Sequence, residues 1–144
     1  MSITSPLQGI FLLDTNIIGN LMRDDRGMVA QRAQAAIAEG RVQLLCTSVV
    51  VQSELLFGLA KRPSVRLQAA YDRAMTQLEV FTLDESTGPC YASLRAHLER
   101  QGTPIGGNDL FIAAHALALN ATLVTDNEVE FRRVPGLAVE NWLR

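Results

Sequence analysis

The chain has 144 residues, 48% of them hydrophobic and 19% charged, with a net charge of −2. That length suits one domain with a full core, residues 1–144 together, and excludes both a disordered chain and a protein that coats nucleic acid by bulk charge. No run approaches the ~20 apolar residues of a membrane span, and MSITSPLQG lacks the basic start of a signal peptide, so the cytoplasm is the expected place and no membrane partner is expected.

The elements alternate in type. Ile10–Leu13 (IFLL) is wholly apolar and then turns polar at Asp14-Thr15-Asn16, which predicts a strand buried on both faces. Met28–Glu39 carries Val29, Ala33, Ala36 and Ile37 at helical spacing, and Gly40 ends it. Val42–Cys46 is a second strand. Thr47-Ser48 can cap a helix from Val49 to about Ala60, and Leu67, Ala70, Tyr71, Ala74 and Leu78 mark the next helix. Val80–Leu83 is a third strand, and Asp84 can cap a helix to Arg100 with Arg95 and Glu99 as an i,i+4 pair. A glycine-rich loop, QGTPIGGN, precedes an almost entirely apolar helix, Asp109–Leu119. Thr122–Thr125 and Ala138–Asn141 complete the strands. The alternation predicts an α/β fold, a mainly parallel sheet of four to five strands with helices on both faces. Ligands of such sheets bind beyond the carboxyl ends of the strands.

Four acidic residues stand at or near those ends. Asp14 closes IFLLD, and a helix N-cap would equally account for it. Glu54 has Val50, Val51, Phe57 and Gly58 as helical neighbours, though a narrow exposed stripe with Gln52 and Ser53 would also carry it. Asp109 opens the apolar helix, where the helix dipole favours an acid, but Gly106-Gly107 before it imply a close backbone approach. Asp126 follows TLVT and is also good turn chemistry with Asn127. Carboxylates gathered in one place repel unless a cation lies between them, and a hard divalent ion with oxygen ligands fills that role. His97 and His115 each stand alone and fit structural positions better than acid–base ones. Cys46 and Cys90 lack metal-ligand spacing and read as free cysteines. Twelve Arg and one Lys make up the basic set. Arg23, Arg26, Lys61, Arg62, Arg132 and Arg133 read individually as ordinary surface charges.

The blocks LLDTN (12–16), SELLFG (53–58), PIGGNDLFIAAHALALNATLVTDN (104–127) and EFRRVPGLAVENW (130–142) resemble the PIN-domain ribonucleases, specifically the VapC-type toxins of type II toxin–antitoxin modules. The resemblance implies an endoribonuclease using Mg²⁺, with Mn²⁺ as substitute, in which metal-activated water cuts RNA to leave 5′-phosphate and 3′-hydroxyl ends. Transfer RNA is the best-known kind of target. The first three family acids match Asp14, Glu54 and Asp109, and the Thr before the fourth matches Thr125. Asn16 matches a frequent family residue beside the first acid. Counting back from Phe131, the fourth acid falls on Asn127, a departure that leaves Asp126 and Asn127 as near-equal candidates. Asp14, Glu54, Asp109 and Asp126 are thus the expected metal ligands. The resemblance further implies a VapB-type antitoxin partner, a homodimer, and operator DNA bound only through the antitoxin.

The main alternative is a catalytically weak or inactive interaction module of the same fold. Two other phosphate-handling α/β enzymes fit less well. A phosphotransfer receiver needs a Lys after a late strand, and the only Lys is Lys61. A haloacid-dehalogenase-type phosphatase needs an Asp where Asn16 stands.

Overall fold

The computed structural model describes residues 9–144, and the N-terminal residues weighed above for a signal peptide lie largely outside them. The elements run β1 (Ile10–Leu13), α1 (Thr15–Arg23), α2 (Met28–Ala38), β2 (Leu44–Ser48), α3 (Val49–Lys61), α4 (Val65–Met75), β3 (Glu79–Phe81), α5 (Thr87–Arg100), α6 (Gly107–Leu119), β4 (Thr122–Val124), α7 (Glu128–Phe131) and β5 (Val139–Glu140). The five strands form one sheet in the order β3-β2-β1-β4-β5, and every pairing is parallel. The expected α/β fold is therefore present.

Boundaries differ from the sequence reading in instructive ways. The second strand starts and ends two residues later than Val42–Cys46, because Leu44 pairs with Ile10 and Ser48 with Phe81. Ser48 is both the last strand residue and the cap of α3, its Oγ accepting from the Val50 N–H at 3.1 Å. The fifth helix starts at Thr87, and Asp84 serves one turn earlier by accepting from the Ser86 N–H at 2.8 Å. Helix α4 runs two residues ahead of Leu67, since the Ser64 hydroxyl caps it. The single turn α7 was not visible as a period because four residues carry none. Gly40, at φ +76°, ends the α2 region in the left-handed conformation that suits glycine.

The core lies on β1, β4 and the inner faces of α1 and α6. Leu12, Leu13, Ile17, Ile18, Ile112, Ala113, Leu123 and Val124 are fully buried. Helix α5 packs along α6, while α1 sits against α2, α3 and α4. Cys46 is buried among these apolar groups, which pushes its thiol up to about 12 and leaves it inert. Among the described residues no helix is long and apolar enough to cross a membrane. The chain leaves β1 outward to β2 and β3, then crosses back to β4 and β5. The order reverses between β1 and β4, so the crevice of this sheet opens where Asp14 and Thr125 emerge.

Candidate active site

Asp14 follows β1 directly. Its backbone N–H still donates to the Val124 carbonyl at 2.9 Å, so it remains tied to the sheet. One carboxylate oxygen caps α1 by accepting from the Thr15 N–H at 2.8 Å. The other accepts from the Thr125 hydroxyl at 2.7 Å. Capping and a site role are therefore compatible in one side chain. Burial raises the Asp14 carboxyl above its ordinary range, the two hydrogen bonds oppose that rise, and the charges of Glu54 and Glu130 add to it.

Glu54 comes from the second turn of α3 and is half-buried. It is no residue of an idle exposed stripe. The Thr15 hydroxyl donates to one of its oxygens, and the Asn108 amide donates to the other at 3.2 Å. Thr15 belongs to α1 and Asn108 to α6, so this carboxylate links three helices at the mouth of the crevice.

Asp109 lies in the first turn of α6, and its carboxyl is pushed up to about 7. Burial is the largest cause. The charges of Glu130, Asp14 and Glu54 follow in that order, together with a side-chain hydrogen bond to Glu130. Those causes locate the groove: Asp14 at the end of β1, Glu54 of α3 and Glu130 of α7 all face Asp109 of α6 across a common space.

Glu130 is the residue that sequence reasoning missed. Gly106 N–H donates to one of its oxygens at 3.2 Å and the Asn127 amide to the other at 2.7 Å. The available signal was an acid three residues beyond Asn127 in the run EVEF, hidden behind the two candidates nearer the strand end. Asn127 reaches the groove through Glu130, and its N–H also donates to the Thr125 hydroxyl at 3.0 Å. Thr125 is thus a buried relay between Asn127 and Asp14. Asp126 turns elsewhere. Its carboxylate accepts from the Asn141 amide at 3.0 Å and stands 3.7 Å from Arg144, and it is absent from the charges that raise Asp14 and Asp109. Asn16 accepts from the Asp126 N–H at 3.2 Å and so fastens the β4–α7 turn to α1.

The two glycines before Asp109 are not packed against anything. A Cβ at either position would meet nothing within 4 Å, so the close approach expected there is not made within the described residues. What the site uses is the Gly106 N–H. His115 is buried on α6, its Nδ1 2.7 Å from the Ser48 hydroxyl, and burial holds it below the usual histidine range. Its place is structural, as expected. Arg132 pairs with Glu128 at 2.9 Å, and Arg133 donates to the Pro104 carbonyl at 3.3 Å beside the glycine-rich loop.

The donor set consists of hard carboxylate oxygens, with neutral hydroxyl and amide groups holding them. Among the described residues no three His, Cys, Asp or Glu side chains close into a ready-made cage for a bare ion. Mg²⁺ does not require one, because it keeps several waters and takes only one or two carboxylates with its substrate. The residues present therefore fit a hydrated divalent ion.

Residues 11–137 match the family model of the PIN domain. The chain belongs to the PIN-domain family. Within that family it is similar to the VapC ribonucleases. It is 35% identical to ribonuclease VapC2 of Rickettsia felis over 134 residues, 92% of this chain and 98% of that protein. It is 33% identical to the tRNA(fMet)-specific endonuclease VapC of Shigella flexneri, over 92% of this chain and 97% of that one. In three dimensions it superimposes on the crystal structure of VapBC2 from Rickettsia felis bound to a DNA fragment from their promoter. The TM-score is 0.84, with 34% identity, covering 92% of this chain and 98% of the other. The PIN assignment agrees with the resemblance carried by LLDTN and the 104–127 block, and with the all-parallel sheet.

Proposed function

We propose that this PIN-domain chain, residues 1–144 acting as one domain, is the toxin of a toxin–antitoxin pair, a divalent-metal-dependent endoribonuclease that hydrolyses RNA phosphodiester bonds. The observation that carries this reading is the groove of Asp14, Glu54, Asp109 and Glu130 at the sheet's switch point, with Asp109 pushed up to about 7 by burial and then by its acidic neighbours. Carboxylates held in mutual repulsion are a site prepared for a cation. Mg²⁺, with Mn²⁺ as substitute, is the proposed ion, and when bound it supplies an acidified water and offsets charge on the phosphate.

The protein's own part is orientation. Thr125 and the Thr15 N–H fix the two oxygens of Asp14. Thr15 and Asn108 fix Glu54, and Gly106 and Asn127 fix Glu130. Asp109 is the member whose ionisation the fold disfavours most, through burial and then the charges of Glu130, Asp14 and Glu54. In this assignment Asp14, Asp109, Glu54 and Glu130 would hold the ion, Asn127 and Thr125 position them, and Asp126 and Asn16 shape the turn behind them. Restrained side chains lose little freedom on binding, which is how a rigid site gains catalytic precision.

A transfer RNA is the proposed substrate class, supported by the name of the Shigella flexneri relative. A VapB-type antitoxin is the proposed protein partner, with operator DNA reached through it, supported by the promoter-bound Rickettsia felis complex. A homodimer is the proposed assembly, and the cytoplasm the proposed place. The test is cleavage of total transfer RNA by purified, antitoxin-free protein with Mg²⁺, with Mn²⁺ and with chelator, beside Asp109→Asn. Discrete metal-dependent fragments that vanish in the variant support the reading. Equal fragments from the variant remove Asp109 from the site, and inactivity with every metal and RNA shifts the weight to a binding module.

A further inference from the structure

Helix α3 carries a second feature beyond Glu54. Phe57 is 65% exposed, an unusual position for a phenylalanine. It stands three residues after Glu54, on the same helical face and about 4.5 Å farther along the axis. Lys61, one turn on, holds its ammonium 5.5 Å from the centre of the Phe57 ring. Gly58 lies beside them on that face, and a Cβ there would meet nothing within 4 Å. Leu56 and Ala60 line a separate groove with Val65 of α4, turned round the helix away from Glu54.

We propose that Phe57 and Lys61 form a nucleotide subsite next to the acidic groove, in which one unpaired base of the RNA stacks on the Phe57 ring and Lys61 meets its phosphate. The inference rests on the ribonuclease reading and adds the form of the substrate: a single-stranded nucleotide flanking the cut. Three observations favour RNA over a protein partner at this spot. The ring is on the face of the helix that carries Glu54, a cation lies over it, and Lys61 makes no ion pair among the described residues. The acidic groove repels phosphate, so a cation at its rim is needed to draw the strand in. Aromatic faces with a neighbouring cation are how proteins hold unpaired bases without reading their edges.

The experiment is steady-state cleavage of a transfer RNA fragment with Mg²⁺ by the natural chain, Phe57→Leu, Phe57→Trp and Lys61→Gln. The fragment is used intact and with one abasic nucleotide walked across the positions flanking the cut. Phe57→Leu is expected to raise KM roughly five- to hundredfold with kcat nearly unchanged, and Phe57→Trp to restore it. At one position the missing base should cost the natural chain that same factor and cost Phe57→Leu nothing. Lys61→Gln should raise KM by the same factor whichever base is missing, with a shallower salt dependence. If Phe57→Leu cleaves like the natural chain and abasic penalties persist, the subsite is overturned while the ribonuclease reading stands. Intact RNA kinetics with loss of dimer mass by light scattering, or of antitoxin capture, makes the face a protein interface and overturns the subsite too. If the natural chain cleaves no RNA, the ribonuclease reading fails first and the subsite with it.

Discussion

Replacing Asp109 by Asn removes the charge that the groove resists most and keeps the shape and a donor toward Glu130. The Asp109 carboxyl rises from an ordinary 3.8 to about 7. At full strength that corresponds to about 4 kcal/mol of disfavoured ionisation. Asp109 is only half-buried, and water screens the open side of the groove, which leaves about 1–2 kcal/mol. The folded state binds this proton more tightly than the unfolded chain. Its contribution to stability is complete below the ordinary carboxylate range and is lost as pH rises through about 7. The metal-free natural chain is therefore expected to lose stability between about pH 4 and pH 7, and Asp109→Asn to lose less. In chelator at pH 8 the variant should melt roughly 3–8 °C above the natural chain, and near pH 3.5, below the ordinary carboxylate value, the two should nearly coincide. Mg²⁺ at pH 8 should raise the melting temperature of the natural chain and leave the variant almost unmoved. Calorimetry in the two buffers, with and without metal, is the assay. A variant that is equally or less stable at pH 8, or stabilised to the same degree near pH 3.5, would refute the claim that burial and acidic neighbours disfavour ionisation at this position.

Further expectations concern the groups around Asp109. Glu130→Gln should reduce cleavage more than a hundredfold, whereas Asp126→Asn should leave it within about twofold, measured as kcat/KM under one metal concentration; the reverse order would return the fourth position to Asp126. Asn127→Ala frees one oxygen of Glu130 and should weaken metal affinity about 10–100-fold by titration calorimetry, with the fold intact. Thr125→Val leaves a buried Asp14 oxygen without its donor, and it should cost about 1–3 kcal/mol in denaturant unfolding at pH 8 and less at low pH, where the Asp14 carboxyl is neutral. His115→Ala should cost about 2–4 kcal/mol through a cavity and the lost hydrogen bond to the Ser48 hydroxyl, with cleavage by the folded fraction retained.

Much of the architecture was legible in the residue order, for local reasons. IFLL followed by Asp-Thr-Asn can hardly be anything but a buried strand ending in a polar turn, and the alternation of apolar strands with helical periods leaves few folds other than a parallel sheet. Asp14, Glu54 and Asp109 stood out because each was an acid in an apolar or strand-end setting. The choice between two uses of each acid was not legible. Asp14 caps α1 and faces the groove at once, since a carboxylate has two oxygens and the fold brings Thr125 to the second. Glu54 needed Thr15 and Asn108, 39 and 54 residues away, before it became more than a helix-surface acid.

The fourth acid shows where the sequence stops. Asp126, Asn127 and Glu130 differ by a few positions, and composition alone cannot rank them. The turn after β4 sends Asp126 toward Asn141 and Arg144, while the single turn of α7 brings Glu130 back over the start of α6 to the Gly106 N–H, 24 residues away. Local spacing determines which residues share a strand or a helix face, because those periods are set by backbone geometry. Which acids meet across a crevice depends on how the chain crosses from β3 back to β4 and on the direction of one short turn. Both are consequences of packing the whole sheet.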